Sequence, residues 1–366
     1  MRKIYWTVIA SLSIIILVGV VALFLYKPGI SYAPSSINES SCKSLDYKGK
    51  NAINLVFFSN KENAKKYSHY LISMPPYNGY KDSFNVYYID DYTPECELYK
   101  GVAVLCYSRE LLKKVAACPN DYLFVVKGKD VKIRSSTYMN VVSINSRHPL
   151  SVLLHESGHV FANLADEYVP AKLSSNSKNC VSQCSKFGNE SNGCWAGCSE
   201  ENYFRSIDSG VMRTASSVEY GALDSSLISL QLSKQKGVIS GFAVESELEC
   251  AKENYYLIEG LYNEGEIKVL DKTVESGCIG SNGVGNFNYS VVMWDGSKVS
   301  AGEFNPEFIF TDSPGVEDLE GGLVSSDRSF FLRVPLVKDA KEIDITNENY
   351  TTQISLGDIG GRPCRI

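Results

Sequence analysis

Hydrophobic positions divide the chain into three stretches of different period. Residues 4–26 form a largely apolar run of 23 residues without a charge, long enough to cross a bilayer as a tilted helix. From residue 51, short solid apolar runs alternate with amphipathic ones. Residues 53–58, 84–89, 122–126 and 138–144 read as buried strands, and residues 61–71 and 108–117 as helices. A further helix is expected from residue 148 onward. Pro149 suits its first turn, and Val152, Leu153, Leu154, Val160, Phe161 and Leu164 supply its buried faces. A short helix is expected over residues 223–232. Beyond about residue 237 the pattern becomes all-β, with strands at 255–260, 266–270, 289–294, 307–311, 329–334, 342–346 and 351–355 separated by turn-forming NEGE, WDGS and TDSPG. The expected architecture is an α/β (α+β) domain over residues 51–235, then a β-sandwich of immunoglobulin type over residues 236–366.

Charge adds a membrane expectation to this pattern. Arg2 and Lys3 precede the apolar run and Lys27 alone follows it, while Tyr5, Trp6 and Tyr26 suit the two interfaces. That asymmetry predicts a single-pass cell-membrane protein. Residues 1–26 would hold a cytoplasmic N-terminus and an anchor contacting the lipid bilayer through residues 4–26, with the body outside. A cleaved signal peptide is the competing reading, but the run is long for one and no small-x-small cleavage site follows. Residues 27–50, rich in Ser, Pro and Gly, read as a stalk. The net charge of -6 argues against nucleic acid or anionic lipid as the main partner.

Eleven cysteines run from Cys42 to Cys364. In an oxidising compartment they would mostly pair, and the odd number leaves at least one over. Residues 169–209 have little periodicity and make a long loop for a compact domain unless something ties them down. Cys180, Cys184, Cys194 and Cys198 offer the ties, and their C-x3-C-x9-C-x3-C spacing differs from the C-x2-C pairs of zinc ribbons. Two disulfides are expected here, with three connectivities open. N-x-S/T triplets at Asn38, Asn189, Asn288 and Asn349 permit glycosylation and no more.

The chemistry concentrates in HESGHVFANLADEY, residues 155–168. His155 and His159 lie one helical turn apart and can grip one metal ion from the same face. Glu156 between them can reach a metal-bound water as general base. The chain has four histidines in all, so the pair does not come from a His-rich background. His69 and His148 are weak ligand candidates. A catalytic zinc needs a third protein ligand, and attention falls on Asp166, with Glu167 as the alternative. On a continuing helix Asp166 would lie about 10 Å past His159, too far to ligate. The chain must therefore leave the helix near residues 162–163, and Asn163 tolerates the left-handed conformation that a reversal requires.

These residues resemble the HE-x-GH-x-x-x-x-LADEY signature of the IgA-peptidase family of zinc metallopeptidases, a metzincin-like group. YKDSFNVYYID, DYLFVV, GCWAGC and SGVMR match more loosely, and the resemblance covers roughly residues 53–227. It implies a metzincin-like peptidase fold and one catalytic Zn2+ ion held by His155 and His159. It further implies Glu156 as general base, a third ligand from the acidic DEY corner, and Met212 as the residue packed beneath the metal. The family usually has Gly where this chain has Ala162, so either the turn shifts, to Asn163, or the helix runs slightly longer. The functional expectation is a membrane-anchored, extracytoplasmic zinc endopeptidase acting on protein or peptide. Tyr168, Arg213 and Tyr220 are unranked candidates for stabilising its transition state. A catalytically silent surface binding or adhesion protein is the alternative.

Overall fold

Solid apolar runs do become the strands of a central sheet. The computed structural model describes residues 41–188, 193–237, 250, 253–310, 322–324 and 328–357, and all of them belong to one compact unit, residues 37–366. The first part comprises β1 (Lys43–Asp46), β2 (Ile53–Phe58), α1 (Lys61–Ser73), β3 (Phe84–Ile89), β4 (Glu97–Tyr99), β5 (Ala103–Leu105), α2 (Arg109–Val115), β6 (Tyr122–Lys127), β7 (Ser136–Tyr138), β8 (Val141–Asn145), α3 (Ser151–Ala162), β9 (Trp195–Cys198), β10 (Glu200–Arg205) and α4 (Gly221–Gly237). The second comprises β11 (Asn254–Asn263), β12 (Glu266–Ser276), β13 (Phe287–Met293), β14 (Lys298–Phe304), β15 (Phe308–Phe310), β16 (Gly322–Val324), β17 (Arg328–Pro335), β18 (Ala340–Thr346) and β19 (Thr351–Ser355).

Eight strands form the main sheet in the order β1-β3-β2-β6-β8-β7-β15-β16. The β3-β2-β6-β8 centre is parallel and β7 runs antiparallel to β8. Parallel strands need both faces covered. One face packs α1, α3 and α4 around Leu55, Phe57, Tyr77, Phe124, Phe161, Met212 and Ile228. The other packs α2 around Val56, Tyr87, Leu111, Leu123 and Val125. Local chemistry sets the helix starts: Asn60 accepts from the Asn63 N–H at α1, and Ser108 accepts from the Leu111 N–H at α2. The stretch 138–144, expected as one strand, is a hairpin. Tyr138 pairs with Val141 across Met139 and Asn140, and Met139 takes φ 54°, a reversal that an apolar run does not announce.

The expected fold class is corrected to one mixed α/β body. Two further sheets, β12-β11-β17 and β14-β13-β18-β19, enclose a shared core of Ile258, Phe287, Val291, Phe304, Leu332 and Ile343. Tyr138, Phe308 and Phe310 of the main sheet belong to that same core. The C-terminal strands are thus not a sandwich added in series, because β15 and β16 leave them and complete the main sheet. Phe308, Ile309 and Phe310 are at most 7% exposed, and three apolar residues in a row require cover on both faces, which a sheet interior provides.

The single-pass anchor and the membrane localisation drawn from it are also corrected. Residues 4–26 lie outside the described residues. Among the described residues no helix is long and apolar enough to cross a membrane. Gly221–Gly237, with 17 residues, is the longest of the four helices introduced above, short of the roughly 20 a span needs. The end of the expected stalk is structured as well. Lys43–Asp46 pairs with β3, and Cys42 is bonded to Cys118.

Candidate metal centre

α3 presents His155 and His159 on one face, with their Nε2 atoms 3.1 Å apart. The other nitrogen of each ring is engaged: His155 Nδ1 donates to the Val211 carbonyl at 2.8 Å and His159 Nδ1 to the Leu164 carbonyl at 2.6 Å. A carbonyl only accepts, so the ring hydrogen sits on Nδ1 and each neutral ring turns a lone pair inward. α3 ends at Ala162. Asn163 is left-handed (φ 50°, ψ 39°), with its N–H on the Gly158 and His159 carbonyls, a conformation asparagine adopts at little cost. The reversal carries the Asp166 carboxylate back, placing Oδ1 2.9 Å from His155 Nε2 and 3.4 Å from His159 Nε2.

Three segments remote in sequence hold this corner. Asn179 clamps Ala165 with two bonds, its Oδ1 accepting from the Ala165 N–H at 2.8 Å and its Nδ2 donating to the Ala165 carbonyl at 2.9 Å. Ser199 Oγ donates to the Asp166 carbonyl at 2.7 Å. The Glu167 N–H donates to the Met212 carbonyl at 2.9 Å. Asn179 and Ser199 each adjoin one half-cystine of the Cys180–Cys198 bond, and Cys184–Cys194 nests inside it. The cysteine-rich loop is therefore tied by two disulfides, and the outer one, Cys180–Cys198, adjoins both residues that clamp Ala165 and Asp166. Cys96–Cys106 and Cys250–Cys278 complete the five bonds among the described residues. Cys364 lies outside them.

Met212 is fully buried beneath the helix. A Cβ at Gly158 would lie 2.5 Å from its Sδ, so the glycine of HESGH is what lets this turn approach. The same turn supplies both the Val211 carbonyl for His155 and the Met212 carbonyl for Glu167. Glu156, also fully buried, accepts from Thr137 Oγ1 at 2.8 Å on Oε2. This fixes a carboxylate next to the histidines from the neighbouring strand β7.

Among the described residues, His155, His159 and Asp166 form the one His/Cys/Asp/Glu group that brings its ligand atoms within 4.8 Å of one another. Two imidazole lone pairs and a carboxylate converge with no donor of their own, and Asp166 Oδ1 lacks a hydrogen-bond partner. This is a donor set that fits a zinc ion and leaves a position open for water. Burial pushes His159 down, but the Asp166 carboxylate outweighs it and raises His159 above its ordinary value. Burial likewise pushes Asp166 up, but His159 and His155 hold it well below the usual carboxylate range. Both directions favour charge at the centre.

The other expected site residues lie around this group or apart from it. Glu167 turns away towards Asn179 Nδ2 at 3.4 Å, and burial pushes it up to about 8. Tyr220 sits behind α3, donating to the Leu154 carbonyl and lying 3.1 Å from the Tyr77 hydroxyl. Arg213 is half-exposed and donates to the Asp208 carbonyl at 2.8 Å. Tyr168 is half-buried beside the corner. His148 bonds Ser135 and the Val131 carbonyl, and His69 is exposed on α1. Thr137, Asn179, Ser199 and Gly158 escaped the sequence reading. Only Gly158, inside the motif, carried any signal.

No family model matches the chain, and no curated protein matches it. The likeness to the IgA-peptidase signature rests on the residues quoted above.

Proposed function

We propose that the chain is a zinc-dependent endopeptidase with its centre at His155, His159 and Asp166. The observation that carries this reading is the convergence of three buried acceptors beside a carboxylate, Glu156, that is not one of them. A bound zinc ion would supply Lewis-acid chemistry, polarising a water and the scissile carbonyl. Val211 and Leu164 keep both rings in the ligating tautomer. Asn163, Asn179 and Ser199 hold Asp166 in place. Thr137 orients Glu156, which accepts the proton of the attacking water and returns it to the leaving amine. Replacing Glu156 with Gln is expected to leave one zinc per chain by metal analysis and to abolish chelator-sensitive cleavage of a peptide library. Undiminished cleavage by that variant would overturn the assignment.

A second reading, a metal-stabilised binding protein without turnover, is favoured by one observation. His155, Glu156, His159 and Asp166 are at most 3% exposed, as suits a structural metal. The same digest separates the two: zinc present with no cleavage under any condition supports the binding protein.

A further inference from the structure

The left-handed turn at Asn163 needs no side chain of its own. Glycine takes such a φ freely, whereas asparagine takes it at a small cost. Yet the Asn163 side chain is well used: the residue is 6% exposed and both ends of its amide are bonded. Nδ2 donates to the Ser175 carbonyl at 2.8 Å, and Oδ1 accepts from Asn305 Nδ2 at 2.8 Å. Two segments remote in sequence thus meet on the residue that turns the chain towards Asp166.

The two segments also hold each other, which closes a ring. Glu307 accepts from Ser175 Oγ at 2.7 Å and from the Ser175 N–H at 3.1 Å, and its own N–H donates to Asn305 Oδ1 at 2.9 Å. Asn305 and Glu307 are both buried, and a buried polar network with its bonds made is stiff. One side of the ring is anchored. β15 pairs with β7 on one edge and β16 on the other, and Phe308 and Phe310 lie in the second core. Asn305 and Glu307 stand at the entrance to that fixed strand, so the strand holds the corner. Asn179 and Ser199 grip the chain at Ala165 and Asp166, past the turn, whereas this ring grips the turn itself. Three residues reach up to about 10 Å, so a change of about 10° at Asn163 would carry the Asp166 carboxylate by up to about 1.7 Å. Metal–ligand distances tolerate only about 0.2 Å.

We propose that Asn305 and Glu307 are positioning residues for the metal centre, fixing Asp166 through Asn163 and Ser175. Neighbouring strands of the main sheet then divide the task. β7 orients Glu156 through Thr137, and the entrance to β15 fixes the third ligand through Asn305. The inference rests on the reading of His155, His159 and Asp166 as a zinc site, and does not depend on turnover.

The test uses the full chain and Asn305→Asp, which is close to isosteric. It keeps an acceptor for the Glu307 N–H but sets an oxygen against Asn163 Oδ1. Thermal melts establish that it is folded, and Asn305→Ala serves where it is not. Zinc affinity by competition titration should fall about tenfold or more, and the visible absorption of the cobalt-substituted protein should change with the ligand geometry. Asn163→Gly keeps the turn and removes the amide, so in that background the Asn305 substitution should change zinc affinity less than about twofold. Ile343→Val, in the second core, should lower the melting temperature and leave zinc affinity alone. By reciprocity, zinc should slow hydrogen exchange at the Ser175 and Glu307 amides relative to the chelated protein. Folded Asn305 variants with wild-type zinc affinity and cobalt spectrum would overturn the positioning role and leave the zinc reading standing. So would an equal loss in the Asn163→Gly background, or the same loss in Ile343→Val. Absence of zinc binding from the wild-type chain would overturn both.

Discussion

Gly158→Ala probes how the turn containing Met212 is fitted beneath the metal corner. The added Cβ would meet Met212 Sδ at 2.5 Å, Tyr220 Cε1 at 3.1 Å and Leu164 Cδ1 at 3.3 Å, where relaxed carbon contacts lie near 3.5–4.0 Å. Met212 is fully buried, so any shift of its side chain disturbs the packing around it. Overpacking of this kind costs about 1–3 kcal/mol, offset by about 0.8–1 kcal/mol because alanine is the better helix residue. The expected net loss is about 0–2 kcal/mol in urea unfolding with disulfides intact. Movement of the turn also shifts the Val211 carbonyl from His155 Nδ1, so zinc affinity should fall about tenfold or more. In a Met212→Ala background the severe contact is gone, and the same substitution should be nearly neutral or slightly favourable. The coupling between the two sites would then be about 1–3 kcal/mol. Equal cost in both backgrounds would refute the fit of Gly158 to Met212.

Three further expectations concern the centre and its surroundings. Cys180→Ser/Cys198→Ser frees the residues next to Asn179 and Ser199, and zinc affinity by competition titration should drop about 10–100-fold, whereas unchanged affinity would detach the disulfide from the site. Thr137→Val should leave zinc binding intact and slow peptide cleavage, with Thr137→Ser restoring it; a matching loss of zinc would show that Thr137 acts on the fold instead. Glu167 folds with its pKa raised from 4.5 to about 8, so the native state holds a proton the unfolded chain has released. Its contribution to stability is present at low pH and lost as pH rises from about 4.5 through 8. The stability of Glu167→Gln relative to wild type should therefore increase between pH 5 and 8.5, and a gap independent of pH would contradict the burial of Glu167 as a neutral acid.

The motif and the end of its helix were legible because both depend on local geometry. Two imidazoles at i and i+4 share a face wherever the helix forms. Asp166 can approach them only if the chain reverses, and Asn163 is the residue beside the helix end that takes a left-handed conformation cheaply. The β2, β3 and β6 runs were equally plain, since a short stretch in which five of six residues are hydrophobic is best buried in a parallel sheet. The hairpin inside residues 138–144 was hidden, because Met139 at positive φ has no sequence mark.

What the tertiary structure alone decided is partnership. Thr137 meets Glu156 across 19 residues, Val211 meets His155 across 56, and Asn305 meets Asn163 across 142, and no periodicity names partners at such distances. The apolar run at Phe308–Phe310 predicted a strand but not its sheet; pairing with β7 makes it part of the main sheet. Residues 155–168 by themselves determined which atoms can hold a metal. Packing determined how firmly they are held, and which part of the chain lies beside them: helix geometry is set within a turn, while strand pairing is set by whichever edge is left to fill.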